Sequence, residues 1–128
     1  MEAPMPNIFH EQKNVGDVLK YEAQTKYSRD GVVVAKGQHL LPGTVVAFDA
    51  NGKVVQVQPA ATDSKKTPIG IMIEEVDAID SEVRSFVIAR HAAVADTGVV
   101  YPKDATAAQI NTINSALKAE GILLRTTA

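Results

Sequence analysis

The chain has no cysteine and no tryptophan among its 128 residues, and its only aromatic side chains are three tyrosines and three phenylalanines. Without cysteine the protein has no disulfide, no thiolate nucleophile and no cysteine-ligated zinc. So few aromatic residues supply no platform on which nucleic-acid bases stack. The lack of cysteine thus excludes particular mechanisms, but it says less about where the protein is located.

The chain also lacks a strong charge of either sign and a long apolar run. A formal net charge of -2 offers no broad basic field for a phosphate backbone, so we expect no nucleic-acid partner. The N-terminus MEAPMPNIFHEQKN has neither the basic start nor the apolar stretch of a secretory signal, and no run reaches about 18 apolar residues. We expect a protein that stays soluble inside the cell that makes it, with no membrane partner.

Residue patterns that carry common enzyme chemistry are missing. His10, His39 and His91 stand far apart and lack the spacing of a helical metal site. The acidic segment at 74–82, EEVDAIDSE, lacks the spacing of a calcium loop. No nucleophile elbow, phosphate-binding loop or dinucleotide fingerprint occurs. The sequence therefore predicts no catalytic residue, no cofactor and no metal ion.

Residues 1–30 are polar, contain two prolines and carry only scattered apolar side chains. Burial of so few apolar groups does not offset the entropy lost on ordering the segment. We predict an N-terminal arm, partly disordered when free, that orders against a partner, with strand addition as one route. Its predicted contacts are the apolar residues Ile8, Phe9, Val18, Leu19 and Tyr21. A terminus without a binding role is the simpler alternative.

After Gly31 the chain changes to short β-branched runs separated by turn residues, a pattern typical of strands. The runs are VVVA at 32–35, TVVAF at 44–48, KVVQV at 53–57, IGIMI at 69–73 and VRSFVIA at 83–89. Because the run at 69–73 is apolar throughout, we predict a strand buried on both faces. The sequence thus predicts a β-rich domain over residues 31–128.

Two turns organise the first half of this domain. Asn51-Gly52 can take the positive φ angles of a tight hairpin turn, and Asp49 can cap the loop between strands 44–48 and 53–57. Pro42-Gly43 matches a type II turn. We therefore predict a hairpin across residues 44–57, and a strand at 32–35 that leads closely into it.

One helix is predicted near residues 106–120. Thr106 and Gln109 fit a capping box, and Gly121 supplies the stop. Apolar residues recur at helical spacing in between, namely Ile110, Ile113 and Leu117. The apolar run at 122–124 that follows predicts an edge strand that ties the C-terminus to the sheet.

Three segments, in fixed order, resemble the lambda-like bacteriophage head decoration proteins. They are GQHLLPGTVVAFD, then PIGIMIEEVDA, then VRSFVIARHAAV leading to INTINSALKAEGILLR, and together they span about residues 31–125. The resemblance implies a mostly β fold with one C-terminal helix, of the β-clip type, with a flexible N-terminal arm. It implies no enzymatic activity.

The same resemblance implies a structural role on a phage head. A homotrimer would bind the expanded head at three-fold sites, on the outer surface of the virion, after synthesis in the host cytoplasm. It would stabilise the shell against the pressure of packaged DNA. In that family the arm orders against the major capsid protein, which would give the five apolar arm residues their partner.

Two other functions remain open at this stage. The carboxylates of Glu74, Glu75 and Asp77, with Arg90 and His91, are candidates for the site of a small β-barrel hydrolase. The second alternative is a different virion part, such as a tail or fibre component, with the same kind of fold and another partner.

Overall fold

A computed structural model describes residues 18–22 and 28–126 of the chain. Ten strands lie within these residues: β1 (Leu19–Glu22), β2 (Arg29–Val34), β3 (Gln38–Leu40), β4 (Val45–Phe48), β5 (Val54–Gln56), β6 (Gly70–Met72), β7 (Val76–Ala78), β8 (Val83–Ile88), β9 (Ala92–Ala95) and β10 (Ile122–Arg125). The helix α1 (Ala107–Ala119) lies near the C-terminus, and two short 3-10 helices cover Ser64–Lys66 and Asp96–Gly98. The described part of the chain is therefore mostly β with one C-terminal helix, as predicted.

The strands form a closed barrel, a three-stranded sheet and a two-stranded ribbon. The barrel has the order β2-β5-β4-β6-β8 and closes through antiparallel pairing of β8 with β2. The sheet has the order β1-β9-β10, and the ribbon pairs β3 with β7. The β-clip arrangement implied by the resemblance stays a prediction.

The predicted hairpin is confirmed. β4 and β5 pair antiparallel, and the Asp49 carboxylate accepts hydrogen bonds from the backbone N–H groups of Asn51 and Lys53 at 2.8 and 2.9 Å. Gly52 takes a φ of 76°, whereas Asn51 is not among the described residues with positive φ. The Gly52 N–H donates to the Asp49 carbonyl at 3.1 Å, so Ala50 and Asn51 are the central residues of the turn. The positive φ expected at both Asn51 and Gly52 is therefore needed at Gly52 alone, in the position after the turn.

The second turn forms as predicted, but the strand before it pairs elsewhere. Gly43 has a φ of 91°, and the N–H of Thr44 donates to the carbonyl of Leu41 at 3.1 Å, as in a type II turn. The expectation that strand 32–35 leads closely into strand 44–48 was wrong. β3 intervenes and pairs with β7, while β2 pairs with β8 and β5.

The core consists of two apolar clusters on opposite faces of the barrel wall. Neighbouring residues of one strand point to opposite faces, so Ile71 belongs to one cluster and Met72 to the other. Val45 and Val46 divide between the clusters in the same way. Ile71 and Met72 of β6 are both fully buried, which confirms the prediction of a strand covered on both faces.

Helix α1 closes one of these clusters. The Thr106 hydroxyl accepts from the Gln109 N–H at 3.1 Å and the Gln109 side chain accepts from the Thr106 N–H at 2.9 Å, so the predicted capping box is present. Ile113 and Leu117 are buried against the sheet β1-β9-β10 and the barrel. After Gly121, at a φ of 80°, β10 pairs parallel with β9 at the edge of the sheet, as predicted. No helix in the described residues is long and apolar enough to cross a membrane.

Two of the described strands begin before residue 31 and belong to the folded structure. β1 pairs with β9, and β2 begins at Arg29 and pairs with β8. The division into an arm of residues 1–30 and a domain of residues 31–128 stays a prediction. Residues 1–17 and 23–27, on which much of the arm falls, lie outside the described residues.

Candidate functional site

The predicted arm contacts have three different placements. Ile8 and Phe9 lie outside the described residues. Val18 is 2% exposed and belongs to the core cluster that contains α1, and Leu19 packs against the same cluster. Tyr21 is 64% exposed on the other face of β1. Of the described arm residues, only Tyr21 therefore presents a large apolar surface to a partner.

The base of the arm is fastened by a charged cluster between β1 and β2. The Arg29 guanidinium donates to the Glu22 carboxylate at 2.6 and 3.0 Å, and the Ser28 hydroxyl donates to the same carboxylate. The hydrogen bond from Arg29 holds the pKa of Glu22 below its ordinary value, and the carboxylate in turn raises the pKa of Arg29. This bidentate pair joins the two sides of the undescribed segment 23–27.

The sheet β1-β9-β10, called the terminal sheet here, has one face toward the core and one toward solvent. Its register pairs Tyr21 with Ala93 and Ala93 with Leu123, so these three side chains form one row on the solvent face. Leu123 is 40% exposed, while the small Ala93 is buried between its larger neighbours. We call these three residues the outer row. The small side chain at its centre lies deeper than the larger side chains at its two ends.

A shallow concavity of about 480 Å³ covers this row. Besides the outer row it is lined by Lys20 and Arg125, which put two cationic groups at its rim, and by His91. The sequence prediction found Tyr21 but missed Ala93 and Leu123, because residues so far apart are brought together only by strand pairing. The apolar run at 122–124 was the one signal for Leu123.

The carboxylates of the hydrolase hypothesis are not gathered at one place. Glu74 accepts a hydrogen bond from Ser85 at 3.3 Å, Glu75 contacts His39, and Asp77 accepts from the N–H of Ile79 at 3.2 Å. Within residues 18–22 and 28–126, no group of three acidic, histidine or cysteine side chains could hold a metal ion. Glu74 therefore belongs to a contact with β8, whereas Glu75 and Asp77 both lie beside His39 at the β3-β7 ribbon.

The other two residues of that hypothesis are also engaged away from the acidic segment. Arg90 forms an ion pair with Asp30 at 2.7 Å. His91 occupies a left-handed backbone position, at a φ of 52°, beside Gly121. The structure therefore does not bring Arg90 and His91 together with the three carboxylates as the hydrolase hypothesis requires.

Comparison with known proteins identifies the family of the chain. The family model for the bacteriophage lambda head decoration protein D matches residues 8–122. No curated protein matches the chain. The match covers most of the sequence, including Ile8, Phe9 and the terminal sheet up to the start of β10. The chain belongs to the head decoration protein D family, and it is a structural, non-enzymatic protein that decorates a phage capsid.

Proposed function

We propose that the chain binds the major capsid protein of a phage head as a homotrimer at three-fold sites on the outer surface. It is made in the host cytoplasm, binds the expanded shell and stabilises it against the pressure of packaged DNA. The family match over residues 8–122 is the observation that carries this proposal.

The arm divides into an anchor and a contact segment in this proposal. Val18 and Leu19 lie in or against the domain core, so they fix the point from which the preceding residues extend. Ile8 and Phe9 contact the shell, whereas Tyr21, on the exposed face of β1, stays with the folded domain. Glu22 and Arg29 hold the anchor to the barrel, so that a load on the arm is passed to the domain.

A trimer explains how such short contacts give firm attachment. Three arms on one particle bind with a high effective concentration once the first has bound, so modest individual affinities combine into strong binding. A closed three-fold assembly also presents identical contacts to a site of the same symmetry. Bridging several shell subunits at once opposes their separation under internal pressure.

A truncation that removes residues 1–15 tests this division of the arm. Val18 and β1 remain, so we expect a folded protein with unchanged oligomeric state that no longer binds expanded heads lacking the protein. Binding is measured by co-sedimentation with the heads of its own phage, and folding by thermal melting. The double variant Ile8→Ala/Phe9→Ala should lose binding as well, whereas the matched control Glu11→Ala/Gln12→Ala should retain it.

The outcomes separate the parts of the proposal. Full binding by the truncated protein would contradict the role of the arm. Failure of the full chain to bind expanded heads would contradict the decoration site itself, and a monomer on light scattering would contradict the trimer.

A further inference from the structure

The loop between β7 and β8 presents an isoleucine to solvent among acidic residues. Ile79 is 51% exposed at the start of this loop. Asp77 accepts a hydrogen bond from the Ile79 N–H at 3.2 Å, and Glu82 at the other end forms an ion pair with Lys53 at 3.0 Å. The loop is therefore fastened at both ends, and it presents Ile79 and the exposed Asp80 in a defined position.

Ile79 is not part of the packed core of its own subunit, since neither core cluster includes it. Asp77 and Asp80 are close to it in sequence. Protein interfaces have an apolar centre and a polar rim, and Ile79 with its acidic neighbours has this layout on a small scale. We call residues 79–82 the acidic knob.

The concavity on the terminal sheet has the complementary shape and charge. Its floor is Ala93, its apolar walls are Tyr21 and Leu123, and its rim carries Lys20 and Arg125. An isoleucine fits above an alanine between two larger side chains, and acidic neighbours fit a cationic rim. The knob and the concavity lie on separate sheets of the subunit.

We propose that the acidic knob of one copy docks into the concavity on the terminal sheet of the next copy and forms the subunit contact of the trimer. The inference rests on the trimer of the proposed function. Because the two surfaces differ, the contact runs head to tail, and three identical contacts close a ring. In this arrangement Ile79 packs over Ala93, and Asp80 pairs with Arg125.

The electrostatic part of the contact is tested by exchanging its charges. Asp80→Lys and Arg125→Glu each replace attraction by repulsion, and we expect each to raise the concentration at which the trimer dissociates by about tenfold. The combined variant restores an opposite pair, so it should return to within a few fold of the unaltered protein. Dissociation is followed by sedimentation velocity over a dilution series, and Lys103→Glu is the control for a charge reversal at an exposed basic residue outside the knob and the concavity.

The apolar part is tested in the same assay. Ile79→Ser and Leu123→Ser should each weaken the trimer, because each removes apolar surface from the contact. Leu41→Ser is the matched control, since Leu41 is exposed to a similar extent, 43%, and lies outside the knob and the concavity. Melting curves of each variant at one protein concentration show whether its subunit is folded.

The inference is overturned if the charge variants leave the trimer unchanged, or if the combined variant fails to restore it. It is also overturned if the variants remain trimeric but lose binding to expanded heads, because the concavity then faces the shell protein. Head binding by the unaltered protein is measured alongside, and its absence would contradict the proposed function whatever the dissociation experiment shows.

Discussion

Truncation of Val18 to alanine distinguishes an anchor in the domain from a contact with the shell. Val18 is 2% exposed and lies in a cluster with Val94, Leu117 and Ile122. Removing two buried methyl groups costs about 1.6 kcal/mol in transfer free energy, and the cavity left behind adds to it, giving roughly 2 to 3 kcal/mol. At about 4 °C per kcal/mol for a domain of this size, the melting temperature should fall by about 8 to 12 °C.

The assay combines thermal melting with head binding well below the melting temperature. Protein concentration is held constant, because the apparent stability of an oligomer depends on it. We expect Val18→Ala to lose stability and to keep its binding to expanded heads. Leu41→Ala serves as the comparison, since Leu41 is 43% exposed and lies outside both core clusters and the concavity, so its stability should be nearly unchanged. Unchanged melting together with lost binding in Val18→Ala would refute the anchor and restore Val18 as a contact with the shell.

Two further predictions concern stability. Gly43→Ala should cost at least about 2 kcal/mol, since a Cβ would lie 1.9 Å from the Gly98 carbonyl oxygen at a φ of 91°. Gly52 has a φ of 76° with open space around it, so Gly52→Ala should cost only about 1 kcal/mol. The free energy of unfolding of both variants is measured by urea titration, and equal losses would contradict the steric argument. The lowered pKa of Glu22 means that its pair with Arg29 stabilises the fold above the unfolded pKa. That stability is lost as the pH falls from about 4.5 through the folded pKa, so Glu22→Gln should flatten the decline of melting temperature with acid, and an unchanged slope would count against the pair.

The family match and the structure argue against the two alternative functions that the sequence left open. The decoration family is a structural component of the phage head, so a tail or fibre component has no support. The hydrolase hypothesis relied on carboxylates that stand close together in sequence, Glu74, Glu75 and Asp77. In the fold Glu74 turns to Ser85 of β8, whereas Glu75 contacts His39 and Asp77 is the cross-strand partner of His39. Closeness in sequence did not predict a common site.

Local features of the fold were predictable because their determinants lie within a few residues. The hairpin at residues 44–57 follows from Asp49 and Gly52, and the type II turn follows from Pro42 and Gly43. The helix begins where the capping box of Thr106 predicts and ends before Gly121. The uniform apolar run at 69–73 indicated burial on both faces, since each face of β6 meets its own core cluster.

Only the tertiary structure decided which strands are neighbours and which arm residues are buried. An alternating or apolar strand satisfies many pairings equally well, so nothing local sends β2 to β8 or inserts β3 against β7. Pairing of β1 with β9 took Val18 into the core, although in sequence it looked like the exposed Tyr21. The sequence by itself determined the turns, the helix and the β-rich class through short-range chemistry. The row of Tyr21, Ala93 and Leu123, and with it the candidate interaction surface, exists only because distant segments share one sheet.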